Sequence, residues 1–165
     1  MPVTKIIDYL RDEHCVPDLE GDTREEVIEE IAECFVTSGA ITTSERDILL
    51  DSVLEREAAA TTGVGNGIAL PHPQVDDVSF LDHPLIGVGL CRDGVDFRAL
   101  DNAPVKMVFL VASPDKVEYL EVAKRIAALA RAGSGEEKWR RVLGQSRTSS
   151  ALREALQDAW EELAP

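Results

Sequence analysis

Apolar positions change period twice along the chain. Near the N-terminus, VTKIIDYLR (residues 3–11) predicts a short helix of one or two turns, and CVPDLEG after it predicts extended chain or a turn at its proline. A well-signalled helix follows. Thr23 and Glu26 have capping-box spacing, Val27, Ile28, Ile31, Ala32 and Phe35 share one face, and Gly39 is a natural stop. A second helix is expected from Ser44, with Asp47 three residues on, carrying Ile48, Leu49 and Val53 and ending near Arg56.

The middle of the chain loses this period. GIAL (67–70), PLIGVGLC (84–91) and PVKMVFLVA (104–112) are short Val/Ile/Leu-rich runs between Gly, Pro and Asp, which predict buried strands, with GVDF (94–97) as a short piece beside them. Helical spacing then returns. Residues 114–131 place Val117, Leu120, Ala123, Ala127 and Ala130 on one stripe, 134–144 open with a serine cap and an acidic first turn, and 149–163 make the last helix. Helices, then strands, then helices indicate a layered α/β domain. With no internal repeat or low-complexity tract, residues 1–165 read as a single domain of ordinary size.

Charge narrows the functions. The formal net charge is −14, with no basic stripe, which argues against nucleic acid and against an anionic membrane surface. It favours a partner with a basic docking face. Only five of the seventeen basic residues are lysines, a bias that genome composition or a salty habitat explains equally well. Cys15, Cys34 and Cys91 are widely spaced without a CxxC, so they read as small buried hydrophobes in a reducing compartment. No apolar run approaches the ~20 residues of a membrane span. The charged, amphipathic N-terminus is unlike a signal peptide, so the cytoplasm is expected and membrane insertion is not.

The candidate chemistry lies in EREAAATTGVGNGIALPHPQ (55–74). Gly63, Gly65 and Gly67 alternate, so the backbone there can take positive φ, approach a ligand closely and form an anion-binding nest. Thr61 and Thr62 add hydroxyls, and Arg56 stands just upstream at a helix end, where it can pair with an oxyanion. Ile68, Ala69 and Leu70 read as a buried strand that ends at Pro71, where His72 emerges. A neutral imidazole is a competent nucleophile near neutral pH and can carry a phosphoryl group covalently. A surface histidine after an ordinary glycine turn fits the same composition. There is no GK[ST] of a nucleotide-binding loop and no GxGxxG opening a long helix. His14 and His83 have no comparable surroundings and read as surface or capping residues, and no metal spacing is present.

Arg56, Glu57, Thr62, Gly63, Gly65, Gly67, Ile68, Ala69, Pro71 and His72 follow the pattern R-E-x(4)-T-G-x-G-x-G-I-A-x-P-H. This resembles the signature of the type-2 enzyme IIA domains of the bacterial phosphotransferase system, the fructose/mannitol class and its nitrogen-regulatory branch. The resemblance covers roughly residues 3–163. It implies a three-layer α/β/α sandwich around a mixed sheet and a phosphotransferase that needs no cofactor. In such a protein His72 receives a phosphoryl group from the phosphocarrier HPr and passes it on, Arg56 helps hold it, and the Thr62–Gly67 loop shapes the pocket. The family usually has a second histidine at the start of the helix after the last long strand; here Tyr119 stands in that context. A tyrosine hydroxyl can donate one hydrogen bond to a phosphate oxygen but brings no positive charge; simple packing of Tyr119 on its helix is the other reading.

Three outputs fit the motif. A phosphocarrier with a phosphorylation-dependent regulatory target is favoured, because Asp96, Phe97, Ala99 and Asp101 in GVDFRALDNAPVKMVFLVASP resemble the nitrogen-regulatory branch and no permease segment is present. The alternatives are a fructose- or mannitol-class transport component passing the group to a cysteine of a IIB partner, and a binding module that has lost phosphotransfer.

Overall fold

The computed structural model describes residues 6–132, 144 and 146–163. The two longest apolar runs form the centre of its sheet: β4 (Leu85–Val95) and β5 (Val105–Ala112) pair antiparallel, with Val88 opposite Phe109. β1 (Leu10–Val16) lies parallel to β4 on one side. β3 (Ile68–Ala69) lies parallel to β5 on the other, with β2 (Gly63–Gly65) antiparallel beyond it. The order is β1-β4-β5-β3-β2, a mixed five-stranded sheet.

Two apolar layers cover it because strand side chains alternate between faces. Ile86, Val88 and Leu90 of β4 and Met107, Phe109 and Val111 of β5 face α3 (Lys116–Ala132) and α4 (Ser149–Leu163), meeting Val122, Ile126, Leu152 and Leu156. Leu85, Cys91, Val108, Leu110 and Ala112 face the opposite way, toward α1 (Arg24–Thr37) and α2 (Thr43–Ala59), meeting Ile28, Ile31, Phe35, Leu49 and Val53. Each large aliphatic side chain so buried contributes roughly 1.5–3 kcal/mol. α1 rides close on the sheet: a Cβ at Gly87 would lie 2.4 Å from Ile31 Cγ2. The expected three-layer α/β/α sandwich is what forms.

Several local expectations change. The helix expected over 3–11 is, within the described residues, a 3-10 turn at Ile6–Tyr9 running straight into β1. Parallel pairing with β4 and packing against α4 outweigh the weak helical period there. α2 begins at Thr43, not Ser44: Thr42 and Glu45 make the full capping box, and the helix continues past Arg56 to Ala59. GVDF is no separate piece, since β4 runs on to Val95 after a register shift. On α3 the buried face is Val122, Ile126, Leu129 and Ala130, whereas Val117 and Leu120, expected inside, are 71% and 54% exposed. The helix expected over 134–144 lies outside the described residues, Gly144 apart. No helix among the described residues is long and apolar enough to cross a membrane.

Candidate functional site

β3 and β5 run in the same direction and end together: beyond β3, the Val111 N–H donates to the Pro71 carbonyl at 3.1 Å. His72 therefore emerges at the same edge of the sheet where β5 gives way to α3. That turn is built by Ser113, whose hydroxyl accepts from Asp115 N–H at 3.2 Å, and by Asp115, whose Oδ1 caps Glu118 N–H at 2.9 Å. The cap fixes the start of α3, so Tyr119 stands one turn in, with its ring centroid 4.7 Å from that of His72 and the planes tilted 38°. The N-terminal end of a helix carries partial positive charge, so this corner favours an anion.

The His72 ring is half-buried and held from one side. Its Nδ1–H donates to the Leu70 carbonyl at 2.9 Å. A carbonyl only accepts, so in the neutral ring the lone pair resides on Nε2, which has no hydrogen-bond partner among the described residues. Burial is the largest influence on His72 and pushes its pKa below the ordinary histidine value. The bond to Leu70 works the other way, Arg56 adds to the lowering, and Glu57 opposes it. The result is a neutral, oriented imidazole near pH 7. Tyr119 is pushed up to about 12, chiefly by burial and against the pull of Arg56. Its hydroxyl thus keeps its proton and is a neutral donor at any physiological pH.

Arg56 lies in the last turn of α2, close enough to influence both His72 and Tyr119. Its Nη1 donates to Ala60 O at 2.8 Å, which stations the guanidinium at the helix end. Beside it, Glu57 is 2% exposed, and both carboxylate oxygens accept from Thr62, one from the N–H at 2.7 Å and the other from the hydroxyl. The Thr62 hydroxyl is therefore engaged inward. Thr61 is engaged too: its hydroxyl donates to Phe97 O and accepts from Gly63 N–H.

The glycine stretch is a hairpin and not an open nest. Asn66 and Gly67, with φ of 56° and 80°, turn β2 into β3, as a two-residue hairpin with positive φ at both central positions requires. The N–H groups of Gly63 and Asn66 are taken by Thr61 Oγ1 and Asp101 Oδ2, so neither faces an incoming anion. The fold brings His72, Arg56, Tyr119, Thr62 and Gly63 to one end, because Leu70 N–H donates to Thr62 O at 3.1 Å. It sends Gly65 and Gly67 to the other. Five residue steps of about 3.3 Å each in extended chain separate Gly67 from His72. Asn66 Nδ2 binds Ala130 O near the C-terminal end of α3, the helix whose first turn meets His72. Gly63 itself is a close-approach position, since a Cβ there would lie 2.8 Å from that of Ala99.

Of the other histidines, His83 is exposed, as expected, but His14 is not a surface residue. It is fully buried in β1, its Nε2 lies 2.8 Å from Ser38 Oγ at the end of α1, and its ring meets Phe35 edge-on at 4.8 Å. Cys15 and Cys91 are buried and Cys34 half-buried, all as free thiols. Sequence reasoning gave Glu57 no role, because nothing in a one-dimensional pattern marks a carboxylate as buried. The hairpin, by contrast, had a signal in Asn66–Gly67.

With this geometry in place, the chain can be set beside known proteins. The family described as "Phosphoenolpyruvate-dependent sugar phosphotransferase system, EIIA 2" matches residues 8–158. A "PTS system fructose-specific EIIA component" of Haloferax volcanii is 40% identical over 92 residues, which is 56% of this chain and 56% of that protein. The chain thus spans little more than half the length of that relative. A "Nitrogen regulatory protein" of Pseudomonas aeruginosa is 32% identical over 111 residues, 66% of this chain and 69% of that one. The solved complex of enzyme IIAMTL and phosphorylated enzyme IIBMTL from Escherichia coli contains a chain that superposes with a TM-score of 0.71 at 19% identity, covering 90% of this chain and 97% of that chain; this is a likeness of fold. The chain belongs to the type-2 EIIA family of the phosphoenolpyruvate-dependent sugar phosphotransferase system.

Proposed function

We propose that the chain, as a single domain over 1–165 acting in the cytoplasm, is a phosphocarrier that takes a phosphoryl group from HPr onto Nε2 of His72. The observation that carries this reading is the bond from His72 Nδ1–H to the Leu70 carbonyl, which leaves Nε2 as the nucleophile beside Arg56, Tyr119 and the start of α3. In the transfer, the Nε2 lone pair forms the new N–P bond while the bond from phosphorus to the donor breaks and its electrons leave with the donor. Arg56 offsets the negative charge on the phosphoryl oxygens, the Tyr119 hydroxyl donates to one of them, and Thr62 and Gly63 shape the wall next to Leu70. Gly65 and Gly67 serve the site at a distance, by closing the hairpin that places β3. Incubation with phosphoenolpyruvate, enzyme I and HPr is expected to add one acid-labile, base-stable phosphoryl group by intact mass, and His72→Ala to accept none. Full labelling of that variant would refute the assignment, and no labelling of the wild type would leave a binding module that has lost phosphotransfer.

Two outputs follow from phospho-His72. A dianionic phosphate on His72, at the end of the sheet where α3 begins with its exposed Val117 and Leu120, changes the charge of that face, which suits a regulatory target read by phosphorylation state. The fructose-specific name of the 40%-identical relative favours the second output, transfer to a cysteine of a IIB component. Adding a IIB protein to phosphorylated wild type separates them: rapid loss of the label supports transport, and retention supports regulation.

A further inference from the structure

We propose that Glu57 is a positioning residue for His72: its buried carboxylate grips Thr62 and, through Thr62 and Leu70, fixes the imidazole with Nε2 free to react. What His72 does rests on the carrier reading above; where Glu57 acts does not. The connection is continuous. Glu57 accepts the Thr62 N–H at 2.7 Å and the Thr62 hydroxyl with its other oxygen. The Thr62 carbonyl accepts the Leu70 N–H at 3.1 Å. The Leu70 carbonyl accepts the His72 Nδ1–H at 2.9 Å. Three residues from two chain segments thus link the end of α2 to the ring. Each link is short-range and directional, so a shift at Glu57 is passed to the Leu70 carbonyl that orients the ring.

A carboxylate at 2% exposure is costly to bury, and anchoring Thr62 by a neutral side chain would avoid that cost. The negative charge has a use at this place. From the end of α2, Arg56 and Glu57 face His72 with opposite signs; from α3, Tyr119 faces it as a neutral phenol. Burial and Arg56 lower the proton affinity of the ring, the bond to Leu70 opposes them, and Glu57 is the charge that adds a smaller opposition. Anchoring and charge therefore come from one side chain, and they separate by substitution. Glu57→Gln keeps the shape, one acceptor for the Thr62 N–H and an amide that can donate to the Thr62 hydroxyl, but removes the charge. Glu57→Ala removes both.

The test is a ¹H–¹⁵N titration of the His72 ring in unphosphorylated wild type, Glu57→Gln and Glu57→Ala, combined with single-turnover transfer from phosphorylated HPr. Glu57→Gln is expected to fold and to titrate His72 at lower pH than wild type. Glu57→Ala is expected to lose the hydrogen-bonded Nδ1–H signal and to slow transfer by about tenfold or more, with Glu57→Gln rescuing part of the rate. If Glu57→Ala does not fold, Glu57→Asp, which keeps the charge but shortens the reach to Thr62 by one methylene, takes its place in the same assay. A folded Glu57→Ala or Glu57→Asp protein that keeps the hydrogen-bonded Nδ1–H signal and the wild-type rate overturns the proposal and leaves Glu57 as an anchor of β2 only. If the wild type takes no phosphoryl group from any donor, the carrier reading fails while the titration still decides the role of Glu57.

Discussion

His14 and His72 lie in two regions of one sheet, and burial lowers the proton affinity of both rings. What differs is the surroundings. His14 is enclosed between β1 and α1, with Nε2 bonded to Ser38, its ring against Phe35, and Nδ1 buried without a hydrogen-bond partner among the described residues. His72 is also held by one nitrogen, but at the open end of the sheet, with a cation, a phenol and a helix N-terminus around it. Desolvation alone therefore does not set the two rings apart. A half-exposed ring and groups suited to an anion do.

Substitution is expected to split the two cleanly. His72→Ala should abolish phosphoryl labelling while leaving the unfolding midpoint near wild type, since the ring is half-exposed. His14→Ala should do the reverse: normal labelling when folded, but a loss of about 2–4 kcal/mol in urea unfolding from the emptied space beside Phe35 and the lost bond to Ser38. Labelling lost in folded His14→Ala would break the distinction. The acid response sharpens it. A histidine with a folded pKa below its unfolded value of 6.5 leaves the unfolded state binding more protons, so stability is full above that pH. It then falls as the pH drops toward the lowered folded value. Wild type should lose stability below about pH 6.5, and His14→Gln should lose less over the same range.

Smaller effects probe the open end. Arg56→Ala should slow transfer by roughly 10- to 150-fold, as for loss of one charged hydrogen bond of ~1.5–3 kcal/mol felt in the transition state. An unchanged rate in a folded variant would confine Arg56 to capping α2. Tyr119→Phe should cost about 0.5–1.5 kcal/mol in the same assay if the hydroxyl meets the phosphate. Tyr119→His should be tolerated and should raise the rate chiefly below about pH 6.5, where an added imidazole is protonated. If neither substitution changes the rate at any pH, Tyr119 only packs against His72.

The contrast also marks what the chain discloses when read in one dimension. β4 and β5 were legible because their apolar runs are long and unbroken. β1 was not: Arg11, Asp12 and Glu13 interrupt LRDEHCV, and only pairing with β4 and the cover of α4 make it a strand. On α3 apolar residues fall on more than one face, so the choice between Val117–Leu120 and Val122–Ile126–Leu129 depended on where the sheet lay. Within the candidate site, residue type and spacing mark His72 and Arg56 as candidates beside a surface-histidine reading, and the motif resemblance is what favours them. The burial of His14, the inward engagement of Thr62 and the distance of Gly65 and Gly67 from His72 are consequences of the hairpin and of tertiary packing, which no local pattern encodes.

The central claim is that the fold makes Nε2 of His72 the reacting atom. Long-range ¹H–¹⁵N spectra of the wild-type protein, phosphorylated through HPr, test it most directly. Phosphorus coupling and the phosphorylated-nitrogen shift at His72 Nε2, with Nδ1 still protonated, is the predicted result; a phosphoryl group on Nδ1, or on any residue other than His72, would contradict it.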